Sequence, residues 1–390
     1  MNIPFLDLKA QYQSIKEEIN QKIIEVITSQ KFILGPEVEG LENDIASYNN
    51  VKFAVGISSG SDALIISLMA QGIGEGDIVI TTPFTFFATA GSIARLKAVP
   101  LFCDIEAESF NISPHRLEEL LKVQIEKEGN SKIRAIIPVH LYGQCADMNP
   151  ILQLAKEYNL FVIEDAAQAI GAEYPSDTGI KKAGSMGDLG TLSFFPSKNL
   201  GGFGDGGMVL TDDEALADKL RLLRVHGSKS KYIYEILGGN FRLDALQAAI
   251  LRVKFKHLEE WHKGKQEKAD YYDIKFKEKG LIEEDLVKLP EPIYRNSGAS
   301  NFHVYHQYVI RAKRRDELKK FLEERGISTA IYYPMSLHLQ KCFSYLGYKE
   351  EDFPESEKAT REALALPIYP ELSPEQQDFI VSSIQDFFAK

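Results

Sequence analysis

One lysine stands between an aromatic run and a glycine-dense turn: Ser193 to Met208 reads SFFPSKNLGGFGDGGM, with Lys198 near its centre. The pattern predicts that Phe194 and Phe195 end a buried strand and that Pro196 blocks its continuation. Gly201, Gly202, Gly204, Gly206 and Gly207 then let the backbone fold tightly before a second strand, Met208–Thr211. A lysine beside buried apolar surface loses part of its preference for the charged form, and a neutral primary amine is the nucleophile of Schiff-base chemistry. Most lysines are solvated, so Lys198 alone reads as a surface ammonium and its candidacy as a catalytic amine rests on its company.

That company is spread along the chain. Asp165 follows the apolar run Leu160–Ile163, where an ionised carboxylate needs a cationic partner to offset its desolvation, unless it serves as a helix cap. Glu164 beside it points to the opposite face by strand alternation. FAVGI (Phe53–Ile57) reads as a strand, and SSGSDAL then opens a helix to about Ala70. Backbone amides near Gly60 and Ser61 there suit an anion, while Ser59 or Ser61 also suits plain capping. Phe86 or Phe87 lies against either a flat ring or the core. Arg242, with Asn240 beside a Gly-Gly turn, is either a surface residue or an anion contact. IYYPMSLHLQ carries Tyr332, Tyr333 and His338 on an aromatic loop.

The elements that must position these residues alternate. Apolar runs rich in Val, Ile and Phe (IVIT, VPLFCDI, IRAIIPVHLYG, LFVIED) are separated by helical stretches such as Asn149–Tyr158, which predicts an α/β fold around a large, mixed, mostly parallel sheet. Ligands gather beyond the carboxyl ends of such strands, where His140, Asp165, Gln168 and Ser193 fall. Leu8–Thr28 reads as one helix followed by an exposed loop, KFILGPEVEGLE. Helices are expected over Glu214–Val225 and Leu243–Trp261, joined by a loop, Gly227–Asn240. From about Lys263 the chain is more charged and forms a smaller α/β domain with a strand at Val304–Ile310, giving domains 1–262 and 263–390.

Composition narrows the partners. The 390 residues carry a net charge of -11 with dispersed Lys and Arg, which argues against a nucleic-acid surface and for small-molecule partners. Cys103, Cys145 and Cys342 lack disulfide or metal-ligand spacing and fit buried thiols of a reducing compartment, so no metal is expected. Pro4 and Asp7 interrupt any signal-peptide run, and Thr81, Thr82, Pro83 and Gly91 break the longest uncharged stretch, so a cytoplasmic protein without a membrane span is expected. GGFGDGG is no nucleotide-phosphate loop, since it lacks the GK[ST] ending and leads into a strand.

Taken in order, IPFLDLKAQY, FILGPEVEGLE, SSGSDAL, PFTFFATA, VHLYGQ, EDAAQA, SFFPSKNLGGFGDGGMV, GGNFRLDALQAAIL and IYYPMSLHLQ resemble the DegT/DnrJ/EryC1/StrS sugar aminotransferases over nearly the whole chain. The resemblance implies the type I aminotransferase fold, the cofactor pyridoxal 5'-phosphate, and a homodimer with shared active sites. It makes Lys198 the lysine that carries the cofactor and moves the proton, and pairs Asp165 with the pyridine nitrogen. Gln168 would meet the ring's 3-oxygen and Phe86 the ring face. Gly60, Ser61 and Ser193 would hold the phosphate, joined by Asn240 from the other subunit, so that a dianion rests on amides, hydroxyls and a helix dipole with no Lys or Arg. Ser197, Arg242, Tyr332 and Tyr333 would face a nucleotide-linked keto sugar, with L-glutamate as donor and 2-oxoglutarate as its product.

Within the family, SFFPSKNLGGFGDGG and TAIYYPMSLHLQ resemble the branch that aminates C3 more than the branch that aminates C4, which implies a UDP-linked 3-keto-hexose bearing a 2-acetamido group and a place in lipopolysaccharide or cell-surface glycan biosynthesis. A dTDP-linked 3-keto-6-deoxyhexose ranks second and a 4-keto sugar third. Lys198 speaks against a dehydratase, in which histidine replaces the lysine; a non-catalytic sugar-nucleotide binder is disfavoured by Lys198, Asp165 and Gln168 together.

Overall fold

Seven short apolar strands form the central sheet in the order Phe53–Ile57, Gly207–Thr211, Leu189–Ser193, Phe161–Asp165, Ile133–Ile137, Ile78–Thr81, Val99–Phe102. The computed structural model describes residues 1–128, 132–282, 284 and 286–389. All strands run parallel except Gly207–Thr211, which is antiparallel to both of its neighbours. Its register sets Gly207 opposite both Ile57 and Ser193, and Asp165 lies beside Thr191. The carboxyl ends of the Phe53–Ile57, Leu189–Ser193 and Phe161–Asp165 strands therefore lie along one edge.

The helix Gly60–Ala70 is apolar almost all round, and Ala63, Leu64, Ile65, Ile66 and Leu68 are buried, as expected of a helix enclosed on every side. A second core surrounds the antiparallel strands Val287–Lys288, Tyr308–Ala312 and Ala363–Leu366. Ile3 belongs to this second core, through a bridge to Ile327. The long helix Leu258–Glu278 turns Tyr272 and Phe276 into the same core.

Several expectations need correction. The stretch read as an exposed loop contains the helix Pro36–Asn49: Gly35, at φ 82°, turns the chain, Pro36 starts the helix where its missing N–H costs nothing, and Val38, Leu41 and Ile45 are buried. Leu8–Thr28 is two helices, Leu8–Ser14 and Lys16–Ser29, broken at Ile15, whose φ of -125° is not helical. Leu243–Trp261 likewise divides into Ala245–Phe255 and the start of Leu258–Glu278. The strand expected at Val304 begins only at Tyr308, because Tyr305 adopts φ 41° and bends the preceding residues away from a sheet. Phe195 is 51% exposed, since its strand stops at Ser193. Cys103 and Cys145 are buried but Cys342 is exposed, on the short helical turn Lys341–Leu346. The loop Gly227–Asn240 carries a small ribbon, Ser228–Ser230 with Ile233–Tyr234. Among the described residues no helix is long and apolar enough to cross a membrane.

Candidate active site

The turn that follows Ser193 is tied to itself and to its surroundings. Lys198 N–H donates to the Phe195 carbonyl (2.8 Å) and Gly202 N–H to that of Phe194 (2.8 Å). A Cβ at Gly201 would stand 2.2 Å from the Pro196 carbonyl oxygen, so only glycine allows this closure. From the helix Ala245–Phe255, the Lys254 ammonium donates to the Gly201 carbonyl (2.6 Å), and Gln247 Oε1 accepts from Phe203 N–H (2.8 Å). The result is a fixed loop that delivers the Lys198 side chain into a cavity of about 400 Å³.

Residues from distant segments meet there. Gly60, Ser61, Phe86, Asp165, Gln168, Ser193, Ser197, Lys198, Tyr332 and Tyr333 all line this one cavity. Burial pulls the Lys198 amine down to about 8, opposed by the charge of Asp165. Near neutrality such an amine reaches its unprotonated form far more readily than a surface lysine.

Asp165 is 5% exposed, accepting from the Thr89 hydroxyl (2.8 Å) and the Ala167 amide (3.2 Å). A turn and then the strand Glu173–Ser176 follow it, so it caps no helix. Neither hydrogen-bond partner is a cation, and the charge that Asp165 presents to the cavity acts on the Lys198 amine. Glu164 faces the other way, receiving the amides of Gly184, Met186 and Gly187. His140, expected near the ligand side, goes with it: its Nε2 lies 2.8 Å from Glu164, and it does not line the cavity.

At the opposite end, Ser59 Oγ caps the helix Gly60–Ala70 by accepting from Asp62 N–H (3.0 Å). Capping and anion binding are compatible here, because one cap leaves other first-turn amides without helical partners. The backbone is packed closely at this cup. A Cβ on Gly60 would fall 2.6 Å from that of Ser193, and one on Gly207 would fall 2.4 Å from the Ser59 carbonyl oxygen.

Gln168 is held between two elements: its Oε1 accepts from Tyr142 N–H (2.8 Å) and its Nε2 donates to the Tyr333 hydroxyl (3.1 Å). Tyr142 in turn donates its hydroxyl to the Tyr332 carbonyl. Phe86 is 56% exposed at the cavity wall, its ring centre 6.5 Å from that of Tyr333. His338 is buried elsewhere, 3.3 Å from Glu357. Asn240 and Arg242 do not line the cavity of their own chain: Asn240 is exposed, and Arg242 bridges to Ile57 with a buried Nε that lacks a partner among the described residues.

Sequence reasoning missed Thr85, Thr89, His306 and Gln307, all of them at or beside this cavity. Thr85 and Thr89 had a signal: two hydroxyls four residues apart in the otherwise apolar PFTFFATA, linked at 3.2 Å in the structure. His306 and Gln307 had none, since HVYHQYVI alternates like a strand.

A lysine amine and a buried carboxylate share one wall system that ends in a helix N-terminus, on the carboxyl edge of a mostly parallel sheet; such a cavity can hold a ligand with an anionic group at the helix start and a cationic group at the carboxylate. The sequence profile of the DegT/DnrJ/EryC1/StrS aminotransferase family matches residues 13–385. A Geobacillus stearothermophilus protein named "Pleiotropic regulatory protein" is 52% identical over 391 residues, covering 100% of this chain and 99% of its own. The "UDP-N-acetyl-3-dehydro-alpha-D-glucosamine 3-aminotranferase" of Acidithiobacillus ferrooxidans is 42% identical over 374 residues, covering 96% and 95%. The crystal structure of NtdA from Bacillus subtilis, with bound cofactor PMP, superposes with a TM-score of 0.87 at 32% identity, over 100% of this chain and 86% of that one. The chain belongs to the DegT/DnrJ/EryC1/StrS aminotransferase family, with its mixed α/β fold. It is a sugar aminotransferase that depends on pyridoxal phosphate.

Proposed function

We propose that this enzyme moves an amino group from L-glutamate to C3 of a UDP-linked 3-keto-hexose bearing a 2-acetamido group, working as a homodimer. The observation that carries the reaction is the convergence of Lys198, Asp165 and the Gly60 cup on one cavity. Two relatives support the substrate class: the Acidithiobacillus enzyme above, and a Pseudomonas aeruginosa protein, 38% identical over 370 residues, named "UDP-2-acetamido-2-deoxy-3-oxo-D-glucuronate aminotransferase". A dTDP-linked 3-keto-6-deoxyhexose is the second reading, favoured by a Streptomyces venezuelae relative, 37% identical over 389 residues, named "dTDP-3-amino-3,4,6-trideoxy-alpha-D-glucose transaminase".

The residues present fit the cofactor. Gly60 and Ser61 amides with the Ser193 hydroxyl hold the phosphate, in a cup that Cβ atoms on Gly60 and Gly207 would fill. Asp165 would hold a proton on the ring nitrogen through a charge-assisted contact of about 1.5–3 kcal/mol. Gln168 would meet the 3-oxygen, and Phe86 would cover the ring. When bound, pyridoxal phosphate supplies the electron sink that lets a C–H bond beside nitrogen ionise. Lys198 would anchor the cofactor, and its Nζ, once freed from that link by the incoming glutamate amine, would take the proton from C2 of glutamate. Ser197, Arg242, Tyr332 and Tyr333 orient the sugar nucleotide, while Asn240 acts across the dimer, which accounts for its absence from its own chain's cavity.

Two experiments test this reading. Incubated with 2-oxoglutarate and a panel of UDP- and dTDP-linked 3-amino and 4-amino sugars, the enzyme is expected to form glutamate fastest with the UDP-linked 3-amino compound. Activity confined to 4-amino sugars would overturn the C3 assignment. For the shared site, mixing inactive Lys198→Ala with inactive Asn240→Asp protein should restore part of the activity, because one hybrid cavity then has both wild-type residues. A fully active monomer in sedimentation would refute that arrangement.

A further inference from the structure

The side-chain amide of Gln168 belongs to a closed circuit of hydrogen bonds. Its Oε1 accepts from the Tyr142 backbone N–H (2.8 Å), a group that can only donate, so the amide cannot be turned over and its N–H₂ must occupy the other end. One of those two N–H donors goes to the Tyr333 hydroxyl (3.1 Å), and the second has no protein partner among the described residues. The Tyr142 hydroxyl donates to the carbonyl of Tyr332, the residue before Tyr333, which closes the ring. The circuit is held at a conformational cost. Tyr142 adopts φ 58° inside the turn Leu141–Gly143, a strained backbone for a bulky residue, and strain of this kind persists only where the surroundings enforce it. Here they do: Val304 N–H donates to the Gly143 carbonyl (2.9 Å) and Gln307 N–H to that of Tyr142 (3.2 Å). On the far side of the circuit, Phe84 packs edge-on against the Tyr333 ring at 5.9 Å. Burial pushes the Tyr333 hydroxyl well above its ordinary value and the charge of Asp165 adds to this, so a neutral phenol stands within reach of that carboxylate's field.

We infer that Tyr333, besides facing the sugar, is a positioning residue for the cofactor: by taking one N–H of Gln168 while Tyr142 holds the amide oxygen, it fixes the remaining N–H on the cofactor's 3-oxygen. The inference rests on the proposed contact between Gln168 and that oxygen. An amide tied at its oxygen alone still swings about its last side-chain bond, whereas one tied at both ends presents its free donor in a single direction. The consequence is electronic. A donor held on the 3-oxygen favours the state with more negative charge there, which is the state left when the link between Lys198 and the cofactor releases its proton. The circuit therefore lowers the pH at which that proton leaves.

The test is an absorbance titration of the cofactor-loaded enzyme without sugar or amino donor, in which the visible band follows the proton on the lysine–cofactor link. Tyr333→Phe keeps the ring and removes the acceptor, and its midpoint is expected to rise by about one pH unit, the size of a weakened charge-assisted hydrogen bond. Gln168→Ala should raise the midpoint at least as far. Added to Gln168→Ala, the Tyr333→Phe change should then shift nothing more, since the phenol acts only through that amide. A tyrosine that serves only the sugar raises KM, and one that serves only the fold lowers the melting temperature; neither moves this midpoint. An unchanged midpoint in Tyr333→Phe, or a shift that persists in the double variant, overturns the inference. A wild-type midpoint in Gln168→Ala would instead sink the contact assigned to Gln168 itself.

Discussion

Lys198→Ala is expected to lower turnover by about 10⁴-fold or more, the upper range for loss of a general acid–base group, because the same amine also anchors the cofactor. The fold should survive. Among the described residues no hydrogen bond from the Lys198 side chain holds the turn, whose closure rests on backbone contacts, Gln247 and Lys254. Without cofactor the lysine is in fact a burden on stability. Its folded value is pulled from 10.5 to about 8, so below about 8 the folded state carries a charge it disfavours, and the variant should melt higher than wild type there. Between about 8 and 10.5 the unfolded chain binds more protons than the folded one, so wild-type stability rises with pH and the gap closes. Thermal melts of both cofactor-free proteins at pH 7 and pH 10 check the sign. Borohydride reduction of the loaded wild-type enzyme should attach the cofactor at Lys198, and a peptide map placing the label on another lysine would contradict the assignment.

What made the site legible in sequence was local chemistry at strand ends. Asp165 after Leu160–Ile163, the glycine and serines after Phe53–Ile57, and Lys198 before its glycines each break an apolar run with a polar group, and the parallel sheet brings those breaks to one edge. Residues placed by long-range geometry left no such mark. Tyr305's positive φ carries His306 and Gln307 into the cavity from a strand-like pattern. His140 sits on the wrong face because Glu164, buried and in need of donors, captures it together with three amides. The helix at Pro36 was hidden because Gly-Pro reads as a turn, although the same pair also starts helices. Asn240 lies outside its own chain's cavity, so its role depends on a subunit arrangement that a single chain does not contain.

Asp165→Asn separates holding the cofactor from activating it. An amide fits the same space: its oxygen still accepts from Ala167, and the Thr89 hydroxyl, which donates to the carboxylate, rotates to accept from the new N–H₂. What the amide lacks is charge. It cannot favour a proton on the ring nitrogen, so the developing negative charge beside C2 loses its sink while phosphate contacts near Gly60 remain. Turnover is therefore expected to fall by roughly 10²–10³-fold, the loss typical of one removed electrostatic contact, with cofactor occupancy reduced far less. Lys198 reports on the same change from the other side. The Asp165 charge holds its amine up against burial, so removing that charge should move the Lys198 value below about 8, making cofactor uptake by the cofactor-free protein less sensitive to acid. Absorbance titration of cofactor uptake between pH 6 and pH 9, beside steady-state rates, measures both effects. Near wild-type turnover in the asparagine variant, or a titration shifted upward, would contradict a carboxylate acting on both the ring nitrogen and the lysine.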